Sequence, residues 1–200
     1  MVKLNLGCGK NVLEGWHNID SLKRREGIII SDLKEGLKYE DNSVNFIYSE
    51  HFIEHLDEVD GYSLLQECYR VLSDNGVLRI STPDLDTLLD FYCEYKDKEL
   101  DLSKYRGRRN NYRNACQMVN WWMFGQCGHI NKFLNPLSYT SSYSEAGHRY
   151  YYNFSDLSNK LIDIGFQEVH KANFCESNFS QLAGIETRKY NGELIIEGIK

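Results

Sequence analysis

Val2-Lys3-Leu4-Asn5-Leu6-Gly7-Cys8-Gly9 decides the fold, because a buried-strand pattern runs straight into a tight glycine turn. Eleven residues past Gly9, Trp16-His17-Asn18-Ile19-Asp20 closes a second short segment on a carboxylate. A strand, a glycine turn at its carboxyl end and an acid closing the next strand make a cradle for a nucleotide-type cofactor.

Outward from that turn, strand-like runs recur with helical patterns between them, the signature of an α/β parallel sheet. The first strand is Lys3–Leu6, the second lies around His17–Asp20, and the third is Gly27–Ser31 with its three consecutive isoleucines. Asp41-Asn42-Ser43 is turn chemistry, and Val44–Ser49 reads as a fourth strand. Val59, Tyr62, Leu65, Cys68/Tyr69 and Leu72 are spaced for one buried helical face. Asn75-Gly76 is the expected stop, since glycine takes the left-handed conformation past a helix end. Val77–Ser81 is a fifth strand, ended by Thr82-Pro83-Asp84, and Leu85 to about Lys96 is helical.

The stretch 97–152 fits no clean period and is rich in Tyr, Asn, Arg and Ser. It reads as an insertion after the fifth strand, a substrate-binding or lid segment within a single domain spanning residues 1–200. Regularity returns with Ser155 as the expected N-cap, then Leu157, Leu161 and Ile164 on one helical face and Gly165 as the stop. Phe166–Phe174 and Glu193–Ile199 complete seven strands as an antiparallel pair.

Two hundred residues can bury a sizeable core, and 42% apolar with 26% charged residues is ordinary for a globular protein. No apolar run approaches membrane-spanning length, and neither a signal peptide nor a membrane partner is expected. Six cysteines without Cys-x-x-Cys spacing predict no disulfide framework and no zinc or other metal site, with a reducing cytoplasm as the compartment. The net charge of −6 opposes general nucleic-acid binding. One segment runs against that average: Lys104 to Arg113 holds five cations and no acid.

A dinucleotide cradle needs a third glycine three positions after Gly9, opening a helix that holds pyrophosphate. Val12 stands there, and the gap to Asp20 is too short for a helix plus a strand. Both facts disfavour NAD or FAD and suit a cofactor without phosphates. Gly7 and Gly9 leave room for a ligand to approach the backbone. Asp20 reads either as an acceptor for two ribose hydroxyls or as a turn aspartate. Asp32 reads as an acceptor for an adenine amino group, with Leu33 on the ring, or as a strand-end turn residue.

Taken together these pieces resemble the class I S-adenosylmethionine-dependent methyltransferases. Leu4-Asn5-Leu6-Gly7-Cys8-Gly9 is similar to their motif I, and Asp32-Leu33 with Tyr39–Ser49 is similar to the signature of the type 11 subgroup. Glu54-His55-Leu56 and Glu67–Leu72 with Asn75-Gly76 match two further motifs of that subgroup. His148 through Phe166 is similar to an ending found in small bacterial and viral members. The resemblance covers about residues 1–85 and 148–199.

It implies a Rossmann-like, mostly parallel seven-stranded sheet with an antiparallel last strand. It also implies S-adenosyl-L-methionine as cofactor and S-adenosyl-L-homocysteine as product. The implied cofactor residues are Asn5, Leu6, Gly7, Cys8 and Gly9 at the amino-acid end, Asp20 and Ser21 on ribose, Asp32 and Leu33 on adenine, with Ser49 and His51 beside them. The chain departs from the family in its shortened first helices, so the insertion or a second subunit of a homodimer is expected to complete the pocket.

A hydroxyl acceptor must lose a proton, and histidine suits that role near neutral pH. His51, after the fourth strand, is the first candidate base; His148 and His129 in the insertion are the others, while His55 fits a structural turn. Arg106 and Arg109 suit a phosphate, and Trp122 and Tyr150 suit stacking on a sugar or ring, although such aromatics also build a lid's own core. The expected partner is a small-molecule acceptor, phosphorylated or sugar-linked. An RNA or protein methyltransferase and a non-catalytic cofactor-binding subunit are the alternatives.

Overall fold

The computed structural model describes residues 1–22, 25–98, 114–124, 147–189 and 192–200. Strands β1 (Lys3–Leu6), β2 (His17–Asp20), β3 (Ile28–Ile30), β4 (Val44–Glu50), β5 (Leu72–Pro83), β6 (Glu168–Lys171) and β7 (Glu193–Ile199) form one sheet. Their order is β3-β2-β1-β4-β5-β7-β6. The β1 to β5 pairings are parallel, and β7 runs antiparallel to both β5 and β6. The strand order reverses between β1 and β4, and ligands of open α/β sheets bind at the carboxyl ends beside such a reversal.

Leu4, Asn5 and Leu6 of β1 are all buried, so both faces of this central strand are covered. A buried amide must find partners. Asn5 Nδ2 donates to Asn18 Oδ1 at 2.9 Å and to the Asn11 carbonyl at 2.8 Å. Asn18 in turn accepts from Leu13 N and donates to the carbonyls of Leu13 and Trp16. This pair pins residues 9–16, which cross from β1 to β2 without a helix, as their shortness implied.

Helix α1 (Glu58–Val71) starts at Asp57, whose side chain accepts from Asp60 N. Its buried face is Gly61, Leu64, Leu65, Cys68 and Val71. That face is turned from the expected one, and Val59 is exposed. Gly61 anchors the turned face, because a Cβ there would come within 2.5 Å of the Tyr152 hydroxyl. The helix also ends earlier than expected: Leu72 is already extended, and the chain enters β5 directly. Asn75-Gly76 instead makes an irregularity inside β5, where Val44 pairs with Leu72 but Phe46 with Val77.

Helices α2 (Leu85–Tyr95), α3 (Ala115–Phe124) and α4 (Phe154–Ile164) complete the described helices. Asn153, not Ser155, caps α4, accepting from Asp156 N three residues on. Gly165 (φ 126°) ends it as expected. The main core lies between the sheet and α1 and α4, around Leu6, Ile47, Leu65, Leu78 and Leu161. A smaller cluster of Tyr48, Val77 and Leu182 is closed by Leu13, Trp16, Phe46 and Phe179. Among the described residues no helix is long and apolar enough to cross a membrane.

Candidate functional site

The glycine turn sits at the carboxyl end of β1. Gly7 (φ 63°) and Gly9 (φ 56°) take the left-handed conformation that side chains disfavour. Gly9 N donates to Asp20 Oδ2 at 2.8 Å, and Leu22 N donates to Asp20 Oδ1 at 2.9 Å. Each carboxylate oxygen keeps a further lone pair for a ligand hydroxyl. A Cβ on Gly9 would meet nothing within 4 Å, so that face is open. Gly7 differs: a Cβ there would lie 2.1 Å from the Phe52 ring. Its missing side chain makes room for Phe52 rather than for a ligand.

Cys8 lies between the two glycines with its thiol buried. Burial first, and then the Asp20 charge, pushes its pKa up to about 12. Ser49, paired with Leu6 across β1 and β4, has a buried hydroxyl with no hydrogen-bond partner among the described residues. An orphaned buried hydroxyl at this edge, the open face of Gly9 and the spare capacity of Asp20 fit a polar ligand lying along the turn. Asn5 and Leu6 are buried beneath it and support the turn.

Asp32 caps the short 3-10 turn Leu33–Glu35 by accepting from Lys34 N at 3.0 Å. Leu33 is buried in the main core. Ser21 follows Asp20 at the β2 end, half-buried. An apolar cleft lined by His17, Ile19, Ile29, Ile30, Leu33 and Tyr39 opens beside β3. It shares only Leu33 with the cofactor residues read from the sequence.

The end of β4 carries the titratable groups. His51 adopts a positive φ of 51°, costly for a residue with a Cβ, and its amide is held by the Ser81 carbonyl at 2.9 Å. Its Nδ1 lies 3.2 Å from Glu54 Oε1 and its Nε2 lies 3.4 Å from Glu193 Oε1. Burial would lower its pKa, but the nearby carboxylates of Glu193 and Glu54 outweigh burial and raise it to about 9. A carboxylate facing each ring nitrogen favours the protonated ring, so a proton-accepting role requires the carboxylates to release it. Burial also opposes ionisation of Glu54, yet the His51 bond and the nearby histidine charges hold its carboxyl below the usual range. Thr82 Oγ1 donates to Glu54 Oε2 at 3.2 Å.

Residues 147–153 return from the insertion as a strap across this edge. Arg149 N and Tyr150 N both donate to the Glu54 carbonyl, and Leu85 N donates to the Tyr152 carbonyl. The strap lays the His148 ring against that of His55, with centroids 4.9 Å apart. His55 Nδ1 lies 3.1 Å from the Gly147 carbonyl. His148 Nδ1 bonds the Tyr151 hydroxyl, which donates to the Trp122 carbonyl at 2.5 Å. Burial keeps the His148 pKa below its ordinary value.

His51, His55 and His148 are thus drawn together around Glu54. Trp122 packs edge-on against Phe91 of α2 at 5.1 Å, and Tyr150 packs against Tyr152 with its hydroxyl near Glu58. Both aromatic side chains are therefore engaged in packing. His129, Arg106 and Arg109 lie outside the described residues. Sequence reasoning missed three carboxylates. Glu54 was visible only as part of a motif. Glu193 opens an ordinary strand and carries no local signal. Glu50, also unremarked, accepts from Thr187 N at 2.8 Å and Arg188 N at 3.1 Å, fastening the β6–β7 connection to the end of β4.

A sheet in this order, with a glycine turn after β1 and a carboxylate after β2, has the fold of the class I S-adenosylmethionine-dependent methyltransferases. A family model described as a methyltransferase domain matches residues 15–80. A SAM-dependent methyltransferase from Archaeoglobus fulgidus is similar over 99% of this chain and 85% of its own, at 18% identity and a TM-score of 0.54. An S-adenosylmethionine-dependent methyltransferase from Mesorhizobium loti is similar over 100% and 90%, at 14% identity and a TM-score of 0.53. A possible histamine N-methyltransferase from Thermotoga maritima is similar over 100% and 82%, at 14% identity and a TM-score of 0.53. At these identities the likeness is one of fold. No curated protein matches the chain.

Proposed function

We propose that this chain is an S-adenosylmethionine-dependent methyltransferase acting on a small-molecule acceptor, a sugar hydroxyl or amine of a glycan or nucleotide-sugar precursor. The observation that carries the cofactor half is the Gly9–Asp20 bond, which fixes a glycine turn and an acid side by side at the strand-order reversal. In the reading, Gly9 and Ser49 take the amino-acid end of the cofactor, Asp20 the ribose and Asp32 the adenine. The bound cofactor would supply a sulfonium methyl for in-line attack by the acceptor atom, the CH3–S bond breaking with its electron pair left on sulfur. The protein's part is alignment and exclusion of water, since the leaving group is already good.

The acceptor half lies where the strap crosses Glu54. The cationic run 104–113 and the aromatic content of the insertion support a phosphorylated or sugar-linked acceptor. The acidic balance of the chain opposes RNA as an alternative. Free thiols at Cys8, Cys68, Cys93, Cys116 and Cys175 support a reducing compartment.

Calorimetry with S-adenosylmethionine, S-adenosylhomocysteine and NAD tests the cofactor half. Binding of the first two without NAD supports the reading. NAD binding with neither of the others overturns it.

A further inference from the structure

Glu54, His55 and His148 each offer one potential ligand atom, and these atoms all lie within 4.8 Å of one another. We propose that these three residues form a binding site for a divalent first-row transition-metal ion. The cysteine spacing that excluded thiolate sites is blind to such a set, because its members lie in two segments that only the strap brings together.

Three features separate this cluster from casual packing. First, each histidine has its tautomer assigned by a bond on the other ring nitrogen. His55 Nδ1–H points at the Gly147 carbonyl. His148 Nδ1–H points at the Tyr151 hydroxyl, whose own proton is committed to the Trp122 carbonyl. With Nδ1 donating, each Nε2 is left as the acceptor nitrogen of its ring. An imidazole oriented by a carbonyl or hydroxyl behind it is the usual arrangement of a metal-bound histidine.

Second, Glu54 is fully buried, and its two oxygens are steadied by His51 and Thr82. An ionised carboxylate has about four acceptor positions, so two remain for a cation. Third, the separations are right. Metal–ligand bonds of ~2.0–2.2 Å set ligand atoms roughly 3–4 Å apart, which side-chain rotation of about an ångström reaches from the present geometry.

The donor set selects the ion. Two imidazole nitrogens and one carboxylate suit Zn²⁺ and its first-row neighbours, whereas Mg²⁺ and Ca²⁺ prefer oxygen donors throughout. Three protein ligands leave at least one position for water or an oxygen of a bound small molecule. Glu54 and His55 follow β4 within four residues of His51, and so lie on the edge expected to face the acceptor. The inference stands on these side chains and does not depend on methyl transfer.

The test uses the full-length protein stripped with chelator and titrated with Zn²⁺ by calorimetry, then with Co²⁺ by absorption spectroscopy. One equivalent should bind, and the Co²⁺ spectrum should show nitrogen and oxygen ligands without a thiolate charge-transfer band. That band would betray binding at the exposed Cys93 or Cys116 instead. His148→Ala and His55→Ala should each lower Zn²⁺ affinity at least tenfold. Tyr151→Phe keeps the ring and its packing but removes the hydroxyl behind His148, and should lower affinity by about tenfold. No stoichiometric binding, a thiolate spectrum, or equal affinity in wild type and all three variants would overturn the proposal. If the alanine variants fail to fold, the wild-type spectrum and Tyr151→Phe decide it.

Discussion

The amide of Gly9 donates to Asp20 Oδ2 at 2.8 Å, so the turn that ends β1 and the acid that ends β2 are one unit. Asp20→Asn keeps an oxygen for that amide but removes the charge. A hydrogen bond to a charged group contributes ~1.5–3 kcal/mol, so affinity for S-adenosylhomocysteine should fall roughly 10–100-fold, with some loss of melting temperature as well because the new NH2 faces the Leu22 amide. Isothermal titration checks this, and unchanged affinity would remove Asp20 from the cofactor site.

Gly7 and Gly9 share a positive φ but not a neighbourhood. Gly9→Ala meets only backbone strain, which costs about 1–2 kcal/mol. Gly7→Ala adds a methyl 2.1 Å from the Phe52 ring, and overpacking of that kind costs a further ~1–3 kcal/mol. Urea denaturation should therefore rank Gly7→Ala well below Gly9→Ala. In a Phe52→Ala background the Gly7→Ala cost should shrink to its backbone part. Additive costs would show that Phe52 does not occupy the space Gly7 leaves.

Much of the fold could be read because strands such as Leu4–Leu6 and Ile28–Ile30 are short, mostly apolar runs bounded by glycine or turn residues. Punctuation was harder. Asn75-Gly76 has the chemistry of a helix stop yet bulges a strand, because Leu72 already pairs with Val44. Ser155 and Asn153 are both good caps, and only the extended backbone at Asn153 decides between them. The pairing of the glycine turn with Asp20 could be read because the two lie within twenty residues of each other, at the ends of β1 and β2. Around Glu54, His51 and His148 were read as separate candidates, but their grouping with Glu54 and Glu193 was not, because His148 and Glu193 reach the site through chain reversals that leave no periodic trace in sequence.

Cys8 offers a chemical readout of burial in the turn. With its pKa raised from 9.0 to about 12, the thiol stays protonated where an unfolded thiol ionises. Alkylation at pH 8 followed by mass mapping should label the exposed Cys93 and Cys116 and spare Cys8 and the buried Cys68. The linkage has a definite sign. The folded state holds this proton more tightly, so the Cys8 contribution is intact below pH 9 and declines as pH rises from there towards 12. Cys8→Ala should flatten that decline, and an unchanged slope would show that the thiol ionises equally in both states.

Arg79 is fully buried in β5 and binds two buried carboxylates, Glu186 at 2.5 Å and Glu197, while its Nη2 donates to the Asn173 carbonyl at 2.9 Å. Glu186 also accepts from Cys175 N, and the next two residues, Thr187 and Arg188, donate to Glu50 at the end of β4. The triad therefore ties the β6–β7 connection to the edge that carries His51. Removing one member of such a network leaves charge buried without a counterion, at a cost of about 3–5 kcal/mol. Arg79→Met should show that loss in urea denaturation and open residues 172–189 to limited proteolysis. Adding Glu186→Gln and Glu197→Gln removes the uncompensated charges and should recover most of the stability. If the triple variant is no more stable than Arg79→Met alone, the arginine acts by filling space rather than by balancing charge.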